Sequence, residues 1–348
     1  MLFRQLFDPQ SSTYTYLLAD ATSGEAILID TVFEQHLRDL AILRELGLRL
    51  RYVLDTHVHA DHITGAWRLR DATGCHIGLS ASAGAEGADL LLRHGDRVVV
   101  GGVGLTARAT PGHTDGCMSY VTDALDCAFT GDALLIRGAG RTDFQQGDAA
   151  TLYRSVREQI FSLPPDCRLY PGHDYAGRTM TTVAEERAHN PRLGDVVREQ
   201  DFVGFMANLG LPHPKRMADA VPANLRCGKP SDDFLQAQPP AWAPLTRSFA
   251  GIWQVEPAWV HDHAGEVLVL DVREPIELGG GSIRRIDGAL EIPLSQLAER
   301  AAEVPRDRPV VAACPTGARS ARATQILEQA GVQQVANLRG GIVAWQEL

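Results

Sequence analysis

The sequence predicts an α/β protein of two domains, and three observations carry that prediction. Short β-rich runs alternate with segments of helical spacing along most of the chain. At 348 residues the chain exceeds the usual span of one domain. A stretch dense in Pro, Gln and Ala, from about Pro230 to Arg247, separates halves that carry different motifs and show no internal repeat. The expected division is a first domain over 1–235, a linker over 236–250 and a second domain over 251–348.

Taken in order, Tyr14–Leu18 and Ala26–Ile29 read as strands. Leu37, Leu40, Ala41 and Leu43 recur at helical spacing, and Gly47 supplies a stop. The strand Tyr52–Leu54 leads into Thr56-His57-Val58-His59-Ala60-Asp61-His62. Ile63–Asp71 is expected as a helix and Arg97–Val100 as a strand. Leu105–Ala109 runs as a strand into Thr110-Pro111-Gly112-His113-Thr114. Ser119–Thr122 and Cys127–Phe129 follow as strands, the second ending at Thr130-Gly131-Asp132. A helix over Ala149–Ile160 and a strand over Arg168–Tyr170 lead to Pro171-Gly172-His173. Thr179–Leu209 has helical character, broken at Leu211-Pro212-His213-Pro214. In the second half the strand Val267–Leu270 ends in Asp271-Val272-Arg273-Glu274. The strand Val310–Ala313 ends at Cys314-Pro315-Thr316-Gly317-Ala318-Arg319-Ser320, and Ala321–Gln329 continues as a helix.

Composition narrows the function. Apolar residues at 45% and charged residues at 22% are ordinary for a soluble globular protein. A net charge of -10 without any Lys/Arg block argues against nucleic acid as a partner. No apolar run reaches the length of a membrane span, and Met1-Leu2-Phe3-Arg4-Gln5 lacks the pattern of a signal peptide; a cytoplasmic protein is expected. Six cysteines (75, 117, 127, 167, 227, 314) are scattered without paired spacing, which suits reduced thiols.

Chemistry concentrates in two places. His57, His59, Asp61 and His62 fall in one loop, and His113, Asp132 and His173 each sit just past a strand end, where an α/β sheet presents its loops to a ligand. Imidazole with carboxylate suits zinc, manganese or iron. The second place is Cys314, where a strand, a loop of amides and a helix start would cradle an anion and stabilise a thiolate. Gly317 permits close backbone approach; Pro315 has no N–H, so its neighbours must donate.

The pattern His-x-His-x-Asp-His, with His113, Asp132 and His173 downstream, resembles the metallo-β-lactamase fold over about residues 1–235. That resemblance implies an αββα sandwich with metal at the strand ends. Two subfamilies share the pattern. In the glyoxalase II type, a glutathione thioester hydrolase, His57, His59 and His113 would hold one metal, Asp61, His62 and His173 a second, and Asp132 would bridge them. In the persulfide dioxygenase type His57, His113 and Asp132 would hold one Fe(II) per chain, a facial triad with open positions, and His59, Asp61, His62 and His173 would support it. The segments Gly131–Gly138, Gly140–Gly147, Tyr170–Tyr175 and Asn208–Pro212 are similar to the dioxygenases, whose reaction with glutathione persulfide and O2 yields sulfite and glutathione. Arg141 and Tyr175 match positions that line the glutathione pocket; the alternatives are an ion pair of Arg141 with Asp143 and a packed Tyr175.

From about residue 250 to the end, Cys-x-x-Gly-x-Arg-Ser, Asp271-Val272-Arg273-Glu274 and Leu338-Arg339-Gly340-Gly341-Ile342-Val343-Ala344-Trp345 resemble rhodanese sulfurtransferases. The resemblance implies a rhodanese-like α/β domain in which Cys314 accepts a sulfane sulfur, Arg319 and the loop amides hold it, and Gly317 shapes the substrate seat. Thiosulfate, sulfite and glutathione would be its partners. Ile283–Ala289 departs from the usual Gly-His-Ile-Pro-Gly-Ala run, and Gly279–Gly281 beside it is expected to be flexible. Asp271 and Arg273 read as structural, and Cys75, Cys117, Cys127 and Cys167 as packed thiols. The combined expectation is a bifunctional enzyme without a membrane partner, with a homodimer as one admissible assembly.

Overall fold

The computed structural model describes residues 1–212, 214, 216–279 and 283–348. His213 of the expected helix break, and Gly280 and Gly281 of the expected flexible run, lie outside the described residues. The chain divides into two compact units, Met1–Lys229 and Pro230–Leu348. No helix among the described residues is long and apolar enough to cross a membrane.

In the first unit β1 (Leu2–Asp8), β2 (Thr13–Ala19), β3 (Glu25–Ile29), β4 (Arg49–Leu54), β5 (His76–Ser80) and β6 (Leu90–Leu92) form one sheet in chain order. A second sheet follows the same simple path through β7 (Arg97–Val100), β8 (Val103–Ala109), β9 (Met118–Thr122), β10 (Cys127–Gly131), β11 (Arg168–Pro171) and β12 (Thr181–Thr182). Strand periodicity explains how they stack. Tyr16, Leu18, Ile27, Ile29 and Leu54 face Val98, Leu105, Tyr120, Phe129 and Tyr170 in the core between the sheets. The alternate residues Leu17, Leu28 and Val53 point the other way, in a core shared with Leu43 of α1 (His36–Glu45) and Leu69 of α2 (Ala66–Thr73). On the far side Val121, Ala128 and Leu169 pack with α3 (Ala149–Ser155), α4 (Val183–His189) and α5 (Glu199–Ala207). The result is the four-layer αββα arrangement. A further helix, α6 (Met217–Asn224), closes the unit.

Three stretches of expected helical character in this unit differ in extent. The one expected over Ile63–Asp71 starts at Ala66, because Ile63 and Thr64 are tied to the chain at Phe33 and Val32. The one expected over Ala149–Ile160 is α-helical to Ser155 and then widens into a π-type turn over Val156–Ile160. Thr179–Leu209 is not one helix: β12 and α4 precede a break at Asn190-Pro191, where the Asn190 side chain caps Arg192 N and Leu193 N.

The second unit begins with α7 (Asp232–Gln236). Its sheet runs β13 (Thr246–Arg247), β14 (Trp253–Val255), β18 (Val335–Leu338), β17 (Val310–Ala313), β15 (Leu268–Asp271) and β16 (Leu290–Glu291), parallel except for the β13–β14 pair. Thr246–Arg247 thus joins this sheet although it falls in the stretch expected as linker. Val310 and Ala312 face one core and Val311 and Ala313 the other, so β17 is covered on both sides. The helices are α8 (Pro257–Asp262), α9 (Pro275–Leu278), α10 (Leu294–Arg300), α11 (Ala318–Gln329) and α12 (Gly341–Gln346). The α11 helix starts three residues earlier than its apolar pattern suggests, at the glycine with φ 93° that ends the cysteine loop.

Candidate metal centre and sulfur loop

Strand register assembles the first site. Parallel pairing of Ile29 with Leu54 sets Asp30 beside Asp55 and Thr56. Parallel pairing of Gly131 with Pro171 sets Asp132 beside His173. A hydrogen bond from Met118 N to Thr56 O ties the histidine loop of the first sheet to β9 of the second. Both sheets therefore deliver their ligand candidates to one end of the sandwich. His57, His113 and Asp132 come together there, each offering a ligand atom within 4.8 Å of the others. His59, Asp61 and His62 form a second such group, and Asp30, Asp55 and His59 a third.

Hydrogen bonds decide which nitrogens keep a lone pair. His113 Nδ1 lies 2.6 Å from the Arg141 carbonyl, which only accepts, so Nδ1 donates and Nε2 is free to ligate. Thr56 Oγ1 donates to Asp30 Oδ2 at 3.0 Å and so accepts from His57 Nδ1, also at 3.0 Å. That leaves the His57 lone pair on Nε2 as well. His59 Nε2 meets Asp30 Oδ1 at 3.2 Å and His62 Nδ1 meets Asp61 Oδ2 at 3.0 Å. Their opposite atoms, His59 Nδ1 and His62 Nε2, are buried with no hydrogen-bond partner among the described residues. A buried lone pair without a proton to accept is costly unless a cation sits there, so this donor set fits a metal ion.

His173 is placed differently. Its Nδ1 meets Asp132 Oδ1 at 2.8 Å and its Nε2 meets Asp61 Oδ2 at 2.9 Å, so both nitrogens serve carboxylates. Burial opposes its charge, but Asp132 and Asp61 outweigh burial and hold the imidazole well above its ordinary range. Burial likewise works to raise the Asp132 carboxyl, yet His173, then His113 and His57, hold it far below the usual carboxylate range. Burial, then His59 and His113, keep His57 well below the ordinary imidazole value, hence neutral. Gly140 is required here: a Cβ would lie 2.2 Å from the Asp132 carbonyl and 2.9 Å from His113 Nδ1.

Arg141 takes the ion-pair alternative. Its Nε and Nη2 each reach Asp143 at 2.6 Å, and its remaining donors bind the carbonyls of Pro212 at 2.6 Å and Leu211 at 2.9 Å. Tyr175 is not a packed aromatic. It is 77% exposed, with its ring parallel to His173 at a centroid distance of 6.1 Å.

In the second unit Cys314 is buried at the C-terminal end of β17. Its Sγ accepts from Gly317 N at 3.2 Å and from Ser320 Oγ at 3.3 Å. The loop is held from behind by Ile342 N and Val343 N at the start of α12, which bind the carbonyls of Cys314 and Pro315. Gly341 has to be glycine, since a Cβ there would lie 2.4 Å from the Cys314 carbonyl. Arg319 is engaged by Glu277 in a two-pronged pair at 2.5 and 2.6 Å. Arg273 is buried against Asp271 and binds the Ile283 and Arg284 carbonyls, so it fixes the segment that departs from the rhodanese pattern.

Sequence reasoning missed several residues of the first site. Asp30 had a signal, since it too sits just past a strand end; its φ of 52° is unusual for a non-glycine. Thr13 approaches His173 Nε2 at 3.0 Å, and Asn224 donates from α6 to the His59 and His62 carbonyls. Neither lies in a recognisable pattern.

The sequence matches the metallo-beta-lactamase superfamily over residues 8–173 and the rhodanese-like domain over residues 256–348. It is 55% identical over 229 residues to persulfide dioxygenase ETHE1, mitochondrial, of Homo sapiens, covering 66% of this chain and 89% of that one. The crystal structure of ETHE1 from Myxococcus xanthus superposes with a TM-score of 0.64 at 52% identity, over 66% of this chain and 100% of that one. A metallo-beta-lactamase from Staphylococcus aureus subsp. aureus COL matches 97% of this chain and 98% of its own with a TM-score of 0.65 at 21% identity, a likeness of fold.

Proposed function

Because the chain belongs to the persulfide dioxygenase family of the metallo-β-lactamase superfamily and ends in a rhodanese-like domain, we propose that it is a bifunctional enzyme of sulfur metabolism. The first domain oxidises glutathione persulfide with O2 to sulfite and glutathione. The second moves a sulfane sulfur between thiosulfate and glutathione through Cys314. The observation that carries the first half is the meeting of His57, His113 and Asp132, with the second oxygen of Asp132 held by His173.

His57, His113 and Asp132 would hold an Fe(II) ion, which would supply redox chemistry toward dioxygen. The protein's own contribution is orientation and protonation. Arg141 O and the Asp30–Thr56 pair fix the tautomers of His113 and His57. His173 holds Asp132 ionised and aimed, and links it to Asp61. His59 and His62 complete the support. Arg141, through its grip on Leu211 and Pro212, shapes the wall where glutathione binds, and exposed Tyr175 offers that ligand an aromatic face. At the second site the thiolate of Cys314 attacks the outer sulfur, and Arg319 with Gly317 and the loop amides define the seat.

A two-metal glyoxalase II-like thioester hydrolase is the second reading, favoured by the free buried nitrogens of His59 and His62. Against it, both nitrogens of His173 are occupied by carboxylates. Metal analysis together with S-lactoylglutathione hydrolysis separates the two. One iron per chain and no thioesterase activity is the expected result; two metals per chain with rapid hydrolysis would establish the rival.

A further inference from the structure

We infer that Ser320 is a catalytic residue of the sulfur site, the side-chain donor that stabilises the Cys314 sulfur whenever that atom carries negative charge. The inference rests on the sulfur-transfer reading of Cys314 above.

Two observations meet at this atom. Ser320 is fully buried in the first turn of α11, and its Oγ lies 3.3 Å from Cys314 Sγ. A buried hydroxyl needs a partner, and among the described residues the sulfur is the one its Oγ has. The side-chain cation of the loop is meanwhile spoken for. Both prongs of Arg319 are held by Glu277, whose carboxylate also accepts from Glu274 N at 2.9 Å within the cap of α9. Among the described residues the hydrogen bonds to Cys314 Sγ come from one amide, Gly317 N–H, and one hydroxyl, Ser320 O–H, while Arg319 acts on it through space.

The reaction puts charge on that atom twice. First, the Cys314 thiolate attacks the outer sulfur of the donor. The new Sγ–S bond forms as the donor's S–S bond breaks, and the leaving thiolate or sulfite departs with the electron pair. The charge now rests on the outer sulfur of the Cys314 persulfide. Second, the acceptor attacks that outer sulfur, the Sγ–S bond breaks, and Cys314 leaves as thiolate with the pair. A leaving group departs faster when its charge is stabilised. Ser320 therefore serves the first half-reaction by favouring the thiolate form of Cys314 and the second by stabilising Cys314 Sγ as it leaves.

The test uses the full-length protein and two substitution pairs. Ser320→Ala removes the hydroxyl; Ser320→Thr and Ser320→Val have the same shape and differ only in it, so any cost of added bulk cancels. Transfer from thiosulfate to glutathione is expected to fall roughly tenfold or more in Ala against wild type and in Val against Thr, the scale of one charge-assisted hydrogen bond. Alkylation of Cys314 by iodoacetamide at neutral pH, followed by mass spectrometry, should slow in the same two comparisons, a result that mere loosening of the domain would not give. Equal transfer and equal alkylation within both pairs would overturn the inference. If wild type alkylates but transfers sulfur from no donor, the sulfurtransferase reading fails instead, and the alkylation comparison still judges Ser320.

Discussion

At the scale of residues, the first site is a matter of which nitrogen holds a proton. His113 and His57 present Nε2 because their Nδ1 atoms are engaged by Arg141 O and by Thr56. His113→Ala should leave the metal site empty, checked by iron analysis after purification; iron retained at one per chain would remove His113 from the ligand set. Arg141→Ala should raise the Michaelis constant for glutathione persulfide several-fold, since the Leu211–Pro212 wall loses its tether while His113 keeps its backbone partner. An unchanged constant would take Arg141 out of the pocket.

At the scale of elements, ten of the eighteen strands among the described residues were legible because a short β-rich run that stops at a turn is a local signal, whereas strands such as β1, β5 and β18 were not read. The parallel β3–β4 and β10–β11 pairs then bring Asp30 to His59 and Asp132 to His173, which alternation alone does not specify. Other parts were illegible for the same physical reason: they depend on distance along the chain. Asn224 serves the His59 carbonyl from 165 positions away, and no local pattern announces it. The helical character expected over Thr179–Leu209 is interrupted at Asn190-Pro191, where a side chain capping the next amides outcompetes helical continuation. The link between α9 and α11 carries a prediction. Hydrogen bonds from Arg319 pull the Glu277 carboxyl down to about 2 from 4.5. The folded pair stays ionised where the unfolded carboxyl would bind a proton, so its stabilisation is present above pH 4.5 and fades as pH falls toward 2. Both partners are about one-third exposed, so the amplitude is small. In Glu277→Gln the melting temperature of this unit should fall less steeply across that window; parallel curves would show that the pair contributes nothing.

At the scale of the whole molecule, each unit has its own core and its own chemistry. Among the described residues the metal candidates lie in Met1–Lys229, and the cysteine loop lies in Pro230–Leu348. Cys314→Ser should therefore abolish sulfur transfer and leave oxygen consumption mostly intact; loss of both activities would show that the sites are not independent. The activity proposed for the first unit is oxygen chemistry at a single iron. The most direct measurement is oxygen uptake by iron-loaded full-length protein supplied with glutathione persulfide. It should consume O2 in proportion to bound iron and release sulfite; no uptake by folded, iron-replete protein would contradict it.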